Sequence, residues 1–158
     1  MGNSDFIGLN RTLGEMLTRA MDIAKPLSEI GMMMVGDFKQ NIEESGRPSK
    51  WQESIRVKLN GGQTLRNTGA FYNSITYETG TGSVAAGPGS AMQKFARILA
   101  EGGTIKAKNK PFLTFYIRGI GWIRKKEVTI PGRDYTYSPP ESVENYGQVL
   151  QNYVMGAA

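Results

Sequence analysis

The sequence predicts an α+β fold in which an antiparallel β-sheet built from hairpins carries helices packed on one face. Three observations lead there. Apolar residues recur at helical spacing near both ends of the 158-residue chain, aromatic and β-branched runs joined by Gly119-Ile120-Gly121 lie between them, and the elements follow in the order α-α, hairpin, α, hairpin, α. A chain of this length forms one domain, here 1–158, and buries roughly 68–70% of the surface that its unfolded state exposes.

The elements are justified in order. Leu13, Met16, Leu17, Ala20, Met21 and Ala24 define a first amphipathic helix, with Thr12 and Glu15 as its capping box. Pro26 is tolerated only in a first turn, so it separates this helix from a second through Leu27, Ile30, Met33, Met34, Phe38 and Ile42, with a kink in one continuous helix as the alternative. The consecutive Met32, Met33 and Met34 are read as core packing. N-terminal helices thus occupy 1–44 and the stretch 45–63 is a loop, within which Trp51 to Gly62, with no clean period, is read as a mobile part. Region 64–137 is the sheet with one inserted helix. A helical turn near Thr68 leads into the strand Ser74–Glu78, Gly80 and Gly82 turn the chain, and Ser83–Ala86 returns. Ser90 and Gln93 fit a second capping box for a helix through Met92, Phe95, Ile98 and Leu99, which Gly102-Gly103 stops. The runs Phe112–Ile117 and Trp122–Ile130 pair as another hairpin. Their register carries a conflict, because alternation puts Trp122, Val128 and Ile130 on one face with Arg124 and Lys126. Ser138-Pro139-Pro140-Glu141 caps a last helix over 138–155 through Val143, Tyr146, Leu150 and Tyr153.

Composition narrows the chemistry. Histidine and cysteine are absent, which excludes disulfides, thiolate or imidazole metal ligands, and every Ser-His or Cys-His pair. Carboxylate pairs remain, Glu43 with Glu44 and Glu141 with Glu144, but both lie at helix ends where solvated acidic residues are ordinary. Gly119-Ile120-Gly121 lacks the third glycine of a phosphate loop and reads as a hairpin turn. No catalytic, cofactor or metal site is assigned. No apolar run is long enough to span a membrane, and Met1 to Asp5 lacks the basic start of a secretory signal.

The formal charge of +5 is unevenly spread. Residues 94–133 hold ten basic side chains against Glu101 and Glu127, a balance of +8 that leaves −3 on the rest. Lys106, Lys108 and Lys110 alternate in a glycine-flanked loop, and Arg118, Arg124, Lys125 and Lys126 surround Phe115, Tyr116 and Trp122. Phosphate contacts with aromatic stacking would use these residues; so would a positive surface docking on an acidic protein.

Several short motifs in fixed order resemble the phage virion morphogenesis family, the tail-completion proteins of tailed bacteriophages. Gly46-Arg47-Pro48-Ser49-Lys50-Trp51 is similar to that family's Pro-x-x-Trp element, and Leu65-Arg66-Asn67-Thr68-Gly69-Ala70-Phe71-Tyr72-Asn73-Ser74-Ile75 to its Leu-x-x-Thr/Ser-Gly-x-Leu/Phe-x-x-Ser-Ile signature. Val84 to Gly87, Phe95-Ala96-Arg97-Ile98, Gly102-Gly103 and the Ile130-Pro131-Gly132-Arg133 ending follow over roughly 27–155. Two departures are Leu99-Ala100-Glu101, where the family often has a histidine, and Asp134-Tyr135 after Arg133.

The resemblance implies a structural virion protein with no enzymatic activity and a tail-terminator-like fold. It would be assembled in the host cytoplasm and act at the neck in tail completion and head-tail joining. Its partners would be copies of itself in a hexameric ring, the neighbouring neck, connector and tail tube proteins, and the genomic DNA that passes through the ring, with no membrane. The alternative is a basic nucleic-acid-binding module using the loop and hairpin of 106–126. Interface or structural roles are expected of Trp51, Gly69, Lys106, Lys108, Lys110, Arg118, Arg124, Lys125, Lys126, Pro131 and Arg133. In the ring, the positive hairpin would meet a neighbour's acidic helices. Trp51 buries its ring either in the core or under a neighbour, and Arg133 either bridges to an acidic group or stays in solvent.

Overall fold

The computed structural model describes the backbone of residues 3–157 and the side chains of residues 7–157. Met1 and Gly2, part of the start read for a signal, lie outside them, as does Ala158. Among the described residues, six helices and six strands follow in the order α1 (Asn3–Met21), α2 (Ala24–Glu43), α3 (Ile55–Asn60), α4 (Ala70–Asn73), β1 (Ile75–Gly80), β2 (Ser83–Pro88), α5 (Ser90–Glu101), β3 (Gly102–Lys106), β4 (Leu113–Ile117), β5 (Gly121–Lys125), β6 (Glu127–Pro131) and α6 (Pro140–Met155). The fold is α+β. Its strands do not form one sheet: they make three two-stranded sheets, β1-β2, β3-β6 and β4-β5.

The chain divides into two compact units. The first comprises residues up to Val35, Tyr77–Ala86 and Ser138 onwards. Leu27 and Ile30 of α2 are buried, and the ring of Tyr77 lies against Gly31, where no β-carbon would fit. Helix α1 starts at Asn3, nine residues before the expected cap. Thr12 is therefore mid-helix, and its hydroxyl donates to the Gly8 carbonyl at 3.1 Å in place of capping anything. Much of α1's apolar face is open, with Leu13, Leu17 and Met21 more than half exposed. Helix α6 begins at Pro140, but Ser138 does not cap it; its hydroxyl shares a 3.1 Å hydrogen bond with Tyr146, and Pro139 holds the N-cap position.

The second unit comprises Gly36–Thr76 and Gly87–Tyr137. Its core is Phe38 and Ile42 from α2, Phe71 from α4, Ile75 from β1, and Tyr135. Tyr135 meets Phe71 and Phe38 edge to face at centroid distances of 5.1 and 6.4 Å, a geometry that favours aromatic quadrupoles. Asn41, fully buried, joins this core to the backbone: its amide donates to the carbonyls of Tyr135 at 2.9 Å and Tyr137 at 2.5 Å, and its oxygen accepts from Arg47 Nε at 2.7 Å. Arg47 also donates to the Asp37 carbonyl at 3.0 Å and pairs with its carboxylate at 3.5 Å.

Four local expectations are corrected. The stretch 51–62 is not simply a loop, since Ser54 accepts from the Val57 N–H and starts the six-residue α3. Ser90 is the first residue of α5 and not its cap; Gly89 holds the cap position without a side-chain bond. Met32 is 58% exposed and Met33 and Met34 are half-buried, so the methionine run is not core. Finally, Trp122–Ile130 is two strands. β5 pairs with β4 from Gly121↔Ile117 to Lys125↔Leu113, and β6 pairs with β3 from Glu127↔Lys106 to Pro131↔Gly102. The chain changes partner at Lys126, whose carbonyl accepts from the Ala107 N–H at 2.9 Å. This dissolves the register conflict: Trp122 and Arg124 face solvent in β5, whereas Val128 and Ile130, on the same parity, are half-buried in β6.

Candidate functional site

Two surfaces of the second unit stand out, and residues with purely conformational roles hold both. Gly102 ends α5 and opens β3 at φ 80°, a left-handed conformation that suits glycine. A β-carbon there would lie 2.5 Å from Gly132 N and 2.8 Å from the Ile130 carbonyl, so the backbones of β3 and the end of β6 touch. Pro131, opposite Gly102, closes β6 without a further donor. Arg133 follows with its N–H on the Leu99 carbonyl at 2.9 Å. The residue is 6% exposed, and its guanidinium donates to the Gln52 carbonyl at 3.2 Å and leaves Nε without a partner. Burial pushes its pKa down from the usual arginine range. It is thus neither an ion-pair partner nor a solvent-facing cation, the two roles expected of it.

Trp51 is half-buried. Its indole covers Gly46, and its backbone N–H donates to the Ser45 carbonyl at 2.7 Å. Gly69 sits at φ 81° as the residue before α4, which turns Phe71 into the core.

The first surface is an apolar groove of about 420 Å³. Leu65, Gly69, Ala70 and Phe71 line one part, Met92, Phe95, Ile98 and Leu99 of α5 another, and Ile105 and Ile130 from the β3-β6 pair complete it. Phe95 is 44% and Ile105 39% exposed there. Lys94 and Arg97 flank Phe95 on α5. Lys94 Nζ lies 5.1 Å from its ring centre, and Arg97 pairs with Glu101 at 2.9 Å.

The second surface is the outward face of the β4-β5 hairpin. Thr114 stands opposite Arg124 and Tyr116 opposite Trp122, all four exposed, while Phe115 and Ile123 point to the half-buried side. Tyr116 and Trp122 meet at 5.6 Å with planes 66° apart. Asn60, at the end of α3, donates to the Arg118 carbonyl at 2.7 Å and so braces the hairpin turn. Beside Thr114 opens a cleft of about 390 Å³, lined also by Lys108, Asn109, Lys110 and Phe112. Of the basic residues expected to act here, Lys106 pairs with Glu127 at 3.6 Å. Among the described residues, Lys108, Lys110, Arg118, Arg124, Lys125 and Lys126 have no carboxylate partner. Lys125 is opposite Leu113 and Lys126 at the partner change, so neither shares the face of Trp122.

Glu43 accepts from the Tyr72 hydroxyl, a bond that raises the Tyr72 pKa, and Glu44 pairs with Lys50 at 3.7 Å. Glu141 occupies the first turn of α6, and both it and Glu144 are exposed. Gly119-Ile120-Gly121 forms the β4-β5 turn. No group of acidic residues able to hold a metal occurs among the described residues, and no described helix is long and apolar enough to cross a membrane.

Sequence reasoning missed Ile105 as a groove wall, although the β-branched Thr104-Ile105 after two glycines carried the signal of a strand. It also missed Asn41, whose place among the apolar positions of α2 marked a buried hydrogen-bonding side chain. No family model, curated protein or solved structure matches the chain.

Proposed function

We propose that the protein is a structural, non-enzymatic virion component of the tail-completion type, which assembles with copies of itself into a ring at the head-tail junction. One observation carries the reading: motifs far apart in the sequence converge on a single apolar groove. Leu65, Gly69 and Phe71 come from the first signature, Phe95 and Ile98 from the second, and Ile130 from the ending. Residues that carry chemistry would converge on polar groups; these converge on a surface that water disfavours.

A neighbouring copy is the occupant that charge favours. Phe95, Ile98, Leu99, Ile105 and Ile130 of the groove belong to the segment of balance +8, with Lys94 beside Phe95, and the rest of the same chain is net acidic. Unlike patches on one chain give a head-to-tail contact, which closes into a ring when the rotation between copies permits. On this reading the contact uses the groove and not the hairpin.

The test is solution mass across a wide concentration range, with negative-stain electron microscopy of the largest species. Concentration-dependent closed rings are expected, together with monomers for a Phe95→Asp/Ile105→Asp variant whose circular dichroism is unchanged. A wild-type chain that stays monomeric throughout, or a variant that assembles as the wild type does, would refute the proposal.

A further inference from the structure

We infer that the outward face of the β4-β5 hairpin, continued by the lysine-lined cleft beside it, is a binding track for single-stranded nucleic acid. The inference is independent of ring assembly, because the track and the apolar groove share no residue.

Trp122 is 74% and Tyr116 59% exposed, an unusual position for two large rings on the same sheet face. Their edge-to-face contact occupies one face of one ring only, so a π-surface remains open for a base. Arg124 and Thr114 form the next cross-strand pair along the same face. Thr114 also lines the cleft that carries Lys108 and Lys110, so the cleft adjoins the Arg124 end of the stacking face. None of Lys108, Lys110 and Arg124 is neutralised by a carboxylate among the described residues. Charge matches a polyanion, and the open rings decide which one. A duplex hides its bases in the stack, and an acidic peptide offers carboxylates but no bases, whereas a single strand supplies phosphates and free π-faces together. The hairpin is also held ready, since the Asn60 bond to the turn orders it before any strand arrives.

The test titrates a labelled single-stranded oligonucleotide into the full-length protein and follows anisotropy at several salt concentrations. Trp122→Ala and Tyr116→Ala should each weaken binding at least about fivefold. Replacing Lys108, Lys110 and Arg124 together by Gln should flatten the log-affinity against log-salt slope by about 2. Trp122→Phe should restore most of the affinity lost in Trp122→Ala. Because the chain has two tryptophans, its emission should fall on binding in the wild type and stay constant in Trp122→Phe, where Trp51 alone reports. All altered side chains are exposed, and circular dichroism checks that folding is unchanged. Failure to bind at low salt would overturn the inference. So would duplex DNA or polyglutamate binding as tightly as the single strand, or affinity indifferent to Trp122→Ala.

Discussion

Replacing Asn41 by alanine tests the polar joint that holds the second unit together. The side chain is fully buried and makes three hydrogen bonds, two as donor to the Tyr135 and Tyr137 carbonyls and one as acceptor from Arg47. A buried partner left unsatisfied costs about 1–3 kcal/mol. The Tyr135 carbonyl bears that cost in full. The Tyr137 carbonyl is only part-buried, and Arg47 keeps its Asp37 contacts, so each of these bears a fraction. The expected loss is about 3–4 kcal/mol, or near 10 °C in melting temperature at about 2–4 °C per kcal/mol for a chain of this size. Urea unfolding followed by circular dichroism measures it. Combining Asn41→Ala with Arg47→Met closes a double-mutant cycle, in which a coupling of about 1 kcal/mol or more is expected. Asn41→Asp separates the roles further: the carboxylate still accepts from Arg47 but turns acceptors toward two carbonyls, so it should be at least as harmful as alanine at neutral pH. A loss below about 1 kcal/mol, or an aspartate better tolerated than alanine, would refute the donor role assigned to the amide.

Two other predictions concern the same unit and its neighbour. Gly102→Ala should destabilise by more than about 2 kcal/mol, because left-handed strain is joined by contact with Gly132 and Ile130; Gly82→Ala, at φ 71° in open space, should cost only about 1 kcal/mol. Urea midpoints of the two variants compare them, and equal losses would remove the close approach as a cause. Burial, and secondarily Asp134, raises the Tyr135 pKa above the ordinary phenol value of 10.0. The folded state therefore keeps this proton where the unfolded chain loses it. Stability from this group is intact below about pH 10 and falls as pH rises beyond it. An alkaline titration of unfolding should be shallower in Tyr135→Phe than in the wild type.

The sequence revealed most where one local rule acted alone. Pro26 marked the start of the second helix, Pro139-Pro140 that of α6, and paired glycines the turns, because these residues restrict or free the backbone wherever they stand. Caps were misplaced for a related reason. Ser and Thr with an acidic residue three positions on describe many helix interiors, and Thr12, satisfied by the Gly8 carbonyl, is one of them. Strand partners were hidden more deeply. Trp122–Ile130 has the composition of one long strand, and only the distant Ala107, bonded to the Lys126 carbonyl, divides it. The groove was illegible for the same reason: Phe95 and Ile105 read as ordinary apolar residues until α5 and β3 bring them beside Phe71.

Arg133 shows why a buried arginine need not carry chemistry. An arginine out of solvent without a carboxylate is costly, and here Nε lacks even a hydrogen bond, so net stability is a poor reason for its presence. Its position is more telling. The guanidinium holds the Gln52 carbonyl while its own N–H holds the Leu99 carbonyl, tying the segment before α3 to the last turn of α5. Those two elements serve the two surfaces: α3 supplies Asn60 to the hairpin turn, and α5 supplies Phe95 and Ile98 to the groove. A single buried side chain thus bonds to the supports of both, with Pro131 and Gly132 fixing the backbone that delivers it. Geometry of this kind demands particular residues as strictly as catalysis does, even in a chain without histidine or cysteine.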